Sequence, residues 1–178
     1  MWYDGIWKKG ELSNITHWKN GIFDGGTFNG NLWDDGTFNG GVFSGTEWVN
    51  GTFNDGTFSN STWNNGIFNG GTFSNSIWND GIFNGGTFSG SDWVNGVFNS
   101  GLFTLNSTWE NGTFNDGTFS NSIWNDGIFN GGIISETTWN DGIFYNGIIK
   151  DSNWIDGKMH NGKIKSSSWT NGVVYYGI

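Results

Sequence analysis

At 178 residues, with 34% hydrophobic residues, 32 glycines, no proline and no cysteine, the chain has the size of one domain and offers neither a disulfide framework nor a thiolate metal site. A glycine-rich, apolar-poor composition usually marks disorder, but disordered chains lack aromatics and this one is 19% aromatic, so its rings must form a packed core. The formal net charge of −9 is unevenly spread: all seven basic residues are lysines outside residues 20–149, whereas 12 of the 16 acids lie inside that stretch, an arrangement that argues against direct binding of nucleic-acid phosphates.

The chain opens on Trp2, Trp7 and Leu12, five residues apart, then steps six to Trp18. From Trp18 a large apolar residue recurs every five positions through Phe23, Phe28 and Trp33 to Phe103, and after a second six-residue step it recurs every five from Trp109 to Val174. All 13 Trp and 16 Phe fall on this register, and the six other centres are Leu12, Ile134, Ile149, Met159, Ile164 and Val174. The clearest stretch, residues 63–93, repeats a 15-residue unit whose centres are Trp63, Phe68, Phe73, Trp78, Phe83, Phe88 and Trp93. One domain over 1–178 is expected, with one-residue insertions within 13–17 and 104–108 that bulge a corner and leave the register beyond it unchanged.

A period of five fits neither a helix nor a long strand, but it fits a three-residue strand followed by a two-residue corner. Corners read Asn-Gly, Asp-Gly, Gly-Gly or Asn-Ser, dipeptides that tolerate positive φ, and from Trp18 onward the second residue after every Trp is Asn or Asp. Glycine stands two before most Phe centres and serine two before most Trp centres; both are expected to point inward and leave room for neighbouring rings. Three-residue strands are too short for a hairpin meander, so a coil that stacks rung upon rung around a central column is expected.

Tandem fives with a small residue two before a large apolar centre resemble the pentapeptide-repeat family across essentially the whole chain. The resemblance implies an all-β fold, a right-handed parallel β-helix with four sides and about 20 residues per turn. The 15-residue super-period leaves a three-sided coil as the alternative. A perimeter of about 50 Å for 15 residues looks too small for one Trp and two Phe per layer, so four sides are expected, giving about nine turns and ~43 Å against about twelve and ~57 Å.

No catalytic, cofactor-binding or metal-binding residues are expected. His17 and His160 sit in no motif, no cluster has metal-ligand spacing, and no base is placed to activate a serine. Without an apolar run of useful length, no membrane span or signal peptide is expected, and the location is expected to be a virion or the cytoplasm.

Three function classes follow. An uncapped solenoid exposes unpaired backbone and open core, so the ends (Trp2, Tyr3, Trp7, Val174, Tyr175 and Tyr176) are expected to contact another copy or other proteins of an assembly. Aromatic fives of this kind are similar to repeat proteins of tailed phages, which implies a structural virion component (tail, fibre or capsid-associated). Some pentapeptide-repeat proteins mimic DNA and engage type II topoisomerases; in a four-sided coil the central acids would stand one per ~2.6 Å, against one charge per ~1.7 Å of DNA. Outward Thr and Asn ladders could instead form a glycan- or ice-binding face, although four sides would mix the ladder types.

Overall fold

In a computed structural model, residues 1–13 and 17–175 are described and contain 33 short parallel strands and no helix. Every strand pairs with the one about 15 residues away, never with its sequence neighbour, so three sheets of 12, 11 and 10 strands wrap a common axis. The coil therefore has three sides, and the four-sided expectation is corrected. Each side carries one class of centre. The first phenylalanine face runs from Trp7 through Phe68 and Phe83 to Val174; the second runs from Leu12 through Phe73 and Phe88 to Ile164. The tryptophan face carries Trp33 through Trp169 and is extended by bridges through Trp18 to Trp2.

The triangular coil is not overfilled because its rings share each layer edge to face. Trp63 meets Phe68 at 6.0 Å and 78°, Phe68 meets Phe73 at 6.0 Å and 85°, and Phe73 meets Trp78 at 5.6 Å and 74°. Along the axis each ring stacks on its own kind: Trp63 on Trp78, Phe68 on Phe83 and Phe73 on Phe88, all at 4.8 Å and within 7° of parallel. That interval is the strand spacing, and it exceeds the ~3.5 Å of carbon–carbon contact. The rings must therefore incline to the axis, and each occupies one layer. Both geometries are favoured by the aromatic quadrupole. All core centres from Trp18 to Ile149 have zero solvent exposure. Twelve rungs at ~4.8 Å make a rod of about 53 Å.

Glycine two before each Phe has a different role from the one expected. Gly81 has φ +119°, a conformation L side chains rarely adopt, and a methyl there would lie 2.5 Å from the carbonyl oxygen of Gly66 in the rung below. Glycine stacks on glycine because the backbones touch, and the neighbouring ring is not what demands it. At the corner before every Trp from Trp48 onward the residue is hydroxylic, and for another reason. The Ser61 N–H donates to Ser76 Oγ at 3.1 Å, and Ser76 Oγ–H donates to the Ser74 carbonyl at 2.7 Å. The hydroxyl bridges two rungs where the preceding residue turns the chain through positive φ, as Asn60 (51°) and Asn75 (48°) do.

At the second six-residue step, Leu105 and Asn106 both adopt positive φ, 59° and 57°. Pairing resumes beyond them with Trp93 opposite Trp109 and Phe98 opposite Phe114. Of the first step only Ser13 and His17 lie within the described residues.

Candidate interaction surfaces

With three sides, equivalent outward residues align in columns with one member per rung. On the first phenylalanine face the residue before the centre is Thr, Ile or Val from Ile22 to Ile143, and the residue after it is Asn from Asn39 to Asn130. Those asparagines form one directional ladder: Asn54 Nδ2 donates to Asn39 Oδ1, Asn69 to Asn54 and Asn84 to Asn69, at 2.7–2.8 Å, and the run continues through Asn99 and Asn115 to Asn130. Its foot is a carboxylate, Asp24, which accepts from Asn39. Two shorter ladders on the tryptophan face are built alike, with Asn64 and Asn79 standing on Glu47 and Asn125 and Asn140 on Glu110. The last donor of each string meets a carboxylate oxygen, and because this end of the ladder only accepts, an acid fits there. The second phenylalanine face carries Thr57, Thr72 and Thr87 beside Ser59, Ser74 and Ser89.

Many of the other acids are corner pieces. Oδ1 of Asp35, Asp80, Asp126, Asp141 and Asp156 accepts the N–H of the following glycine at 2.6–2.7 Å. Among the described residues no group of three His, Cys, Asp or Glu side chains could hold a metal ion. The acids over residues 20–149 spread along about 42 Å of three-sided coil, one per ~3.5 Å, which is half the density of DNA. Asp34 stands apart, held between Lys19 and His17. Burial raises its pKa, but hydrogen bonds and charge from Lys19 and His17 outweigh that, so it titrates below the usual value. Lys19 Nζ and His17 Nε2 lie 2.8 and 2.6 Å from Asp34 Oδ2. His160, on the first phenylalanine face, stacks between Tyr145 (4.8 Å) and Tyr175 (4.9 Å), an aromatic continuation of the asparagine column. Neither histidine showed a signal for this in the sequence, because the partners lie one rung away.

The residues expected at the assembly ends lie in the outermost rungs. Trp2 and Trp7 are partly exposed, pack against the core and meet each other edge to face at 6.0 Å, Tyr3 is 70% exposed, and Val174 and Tyr175 are exposed. Tyr176 lies outside the described residues. Met159, Ile164, Val174 and Tyr175 line an apolar hollow of about 250 Å³ with His160 at its rim. A longer polar groove of about 670 Å³ follows the corner between the second phenylalanine and tryptophan faces, past Asn60, Asn75, Ser61 and Ser76, with Glu47 and Asp92 at its two ends. No protein-family model, curated protein sequence or solved structure matches the chain.

Proposed function

We propose that the chain is a non-enzymatic structural and interaction protein, a rigid rod that serves as one component of a larger assembly. Its fives support placing it with pentapeptide-repeat proteins, and the aromatic letters at their centres point to the repeat proteins of tailed phages and so to a virion. The observation that carries this proposal is the contrast along the axis. Central core residues are fully buried, whereas Trp2, Trp7 and Trp169 are partly exposed and Ile164 and Val174 are 40% and 37% exposed. Beside them, among the described residues, the outermost strand of each parallel sheet pairs on one side, and a strand so placed pairs readily with an added one. The partner is another copy or another protein of the assembly, engaged through one or both outermost rungs. Sedimentation over a hundredfold concentration range, with and without Val174→Lys, tests this. Concentration-dependent association that the lysine abolishes is expected; a strict monomer throughout, or association indifferent to the substitution, overturns end contact.

A second function is favoured by the three-sided geometry: a ligand-binding face for a glycan or ice, since an unmixed Asn column runs from Asn39 to Asn130 and Thr57, Thr72 and Thr87 stack in three successive rungs. Thermal hysteresis and pull-down on insoluble polysaccharides test it, and loss of either activity in Thr57→Lys/Thr72→Lys locates the face. The DNA-mimic alternative is weakened by the halved charge density, and a topoisomerase supercoiling assay without inhibition sets it aside.

A further inference from the structure

We propose that the tryptophan column is a path for single-electron oxidation, able to carry an electron hole from one end of the rod to the other. Twelve of the 13 tryptophans, Trp2 and Trp18 through Trp169, stand in single file, with ring centroids 4.6–5.2 Å apart and planes within 8° of parallel. Indole is among the most easily oxidised side chains, and stacked faces overlap the orbitals that a hole occupies. From Phe23 to Ile149 the flanking columns are phenylalanine with two isoleucines, which resist oxidation, so over that length the file is insulated on both sides.

Two further observations fit conduction better than mere packing. Between Trp18 and Phe144 the chain has no Tyr, Met, Cys or His; the tyrosines are Tyr3, Tyr145, Tyr175 and Tyr176, all near the ends. Side traps are thus missing along the path, and exits stand at its termini. The buried indole N–H groups also face no base. Trp48, Trp63, Trp78 and Trp93 donate from Nε1 to backbone carbonyls of Asn65, Asp80, Asn95 and Asn111 at 3.1 Å. A carbonyl does not take the proton, so an indole radical cation keeps it and the hole stays mobile. The electron balance is simple. A one-electron oxidant at one end removes an electron from the nearest indole, and each oxidised indole is refilled by the next. The last electron comes from a tyrosine, whose phenolic proton passes to water. This activity is independent of the assembly proposed above.

The lack of native cysteine makes the test clean. Thr170→Cys carries a ruthenium polypyridyl photo-oxidant, with Tyr145→Phe, Tyr175→Phe and Tyr176→Phe in the background, so that Tyr3, eleven rungs away, is the one tyrosine left. Flash oxidation with an external electron acceptor is expected to give a tyrosyl radical at Tyr3, independent of protein concentration. Trp78→Phe/Trp93→Phe should lower its yield at least tenfold. Phe83→Leu/Phe98→Leu, which disturbs the adjacent column while sparing the indoles, should leave it within twofold. A missing Tyr3 radical, equal yields in the interrupted column, equal loss in the control, or a yield that scales with concentration each overturns the proposal.

Discussion

At single residues, two kinds of positive φ divide the corners, and they differ in what they tolerate. Gly81, at φ +119° and against the backbone of Gly66, occupies a region essentially reserved for glycine. Gly81→Ala is expected to destabilise the rod by about 2–4 kcal/mol, read by denaturant unfolding. At the other corner φ lies near +50°, where asparagine is tolerated and a branched or long side chain is strained. Asn60, Asn75 and Asn121 suit it, but Leu105 does not: it has φ 59° and is 61% exposed, so it contributes little to the core. Leu105→Asn should therefore stabilise by about 0.5–1 kcal/mol, with a higher melting temperature as the measurement. A lower one would show that the insertion corner gains from leucine elsewhere. The glycine two before each Phe was visible in the sequence, but its reason was not. Spacing shows that a small residue is wanted; only the rung below shows that backbone contact excludes a methyl. The serine before each tryptophan reads as merely small for the same reason, because its partner, the next serine's hydroxyl, lies 15 residues away.

Strands of two or three residues hold little by themselves, and the ladders that join them carry a direction. In the long asparagine ladder every internal member both donates and accepts, so an acid fits only at the foot, where Asp24 stands. Asn84→Asp places a carboxylate oxygen against Asn69 Oδ1, with no donor between them. The substitution should cost about 1–2 kcal/mol at neutral pH, whereas Asp24→Asn should fall within ~0.5 kcal/mol of the parent. The sign with pH follows from protonation. The new carboxyl has a folded pKa raised above its unfolded value of ~3.9, since only its protonated form can donate. Its deficit is thus smallest below that value and grows as pH rises through the folded pKa. Melting temperatures of variant and parent compared at pH 3.5 and 7 give the readout; a pH-independent deficit would mean that ladder direction is not the cause. Ladder membership was partly legible, since Asn follows every second Phe from Phe38 to Phe129. Its alignment into one column was not, because a four-sided path would have scattered it.

For the whole molecule, the deciding quantity is the number of residues per turn, and sequence periodicity left it open because five divides both 15 and 20. The perimeter estimate chose wrongly by treating the rings as areas lying in a layer. Inclined rings meeting edge to face fit the smaller triangle, and stacking like on like rewards a turn equal to the super-period. Deletions turn this into a direct test. Removing residues 76–90 takes out one full turn: Trp93 then stacks on Trp63, Phe98 on Phe68 and Phe103 on Phe73, and Asn75 takes the corner that Gly90 held, with a conformation asparagine already adopts there. Because each rung touches only its neighbours, such a protein should fold with a modest loss of stability and shorten by ~4.8 Å in small-angle scattering. Removing residues 71–90 takes out 20, which a four-sided coil would accept as one turn. In the three-sided coil it joins the first phenylalanine face directly to the tryptophan face. The turn then has ten residues and lacks a strand on the second phenylalanine face, and the column breaks at a layer that neither neighbour can fill. The 15-residue deletion should keep a single cooperative transition and buried tryptophan fluorescence, and the 20-residue deletion should lose both. The reverse outcome would require a coil of 20 residues per turn, with no tryptophan resting on another.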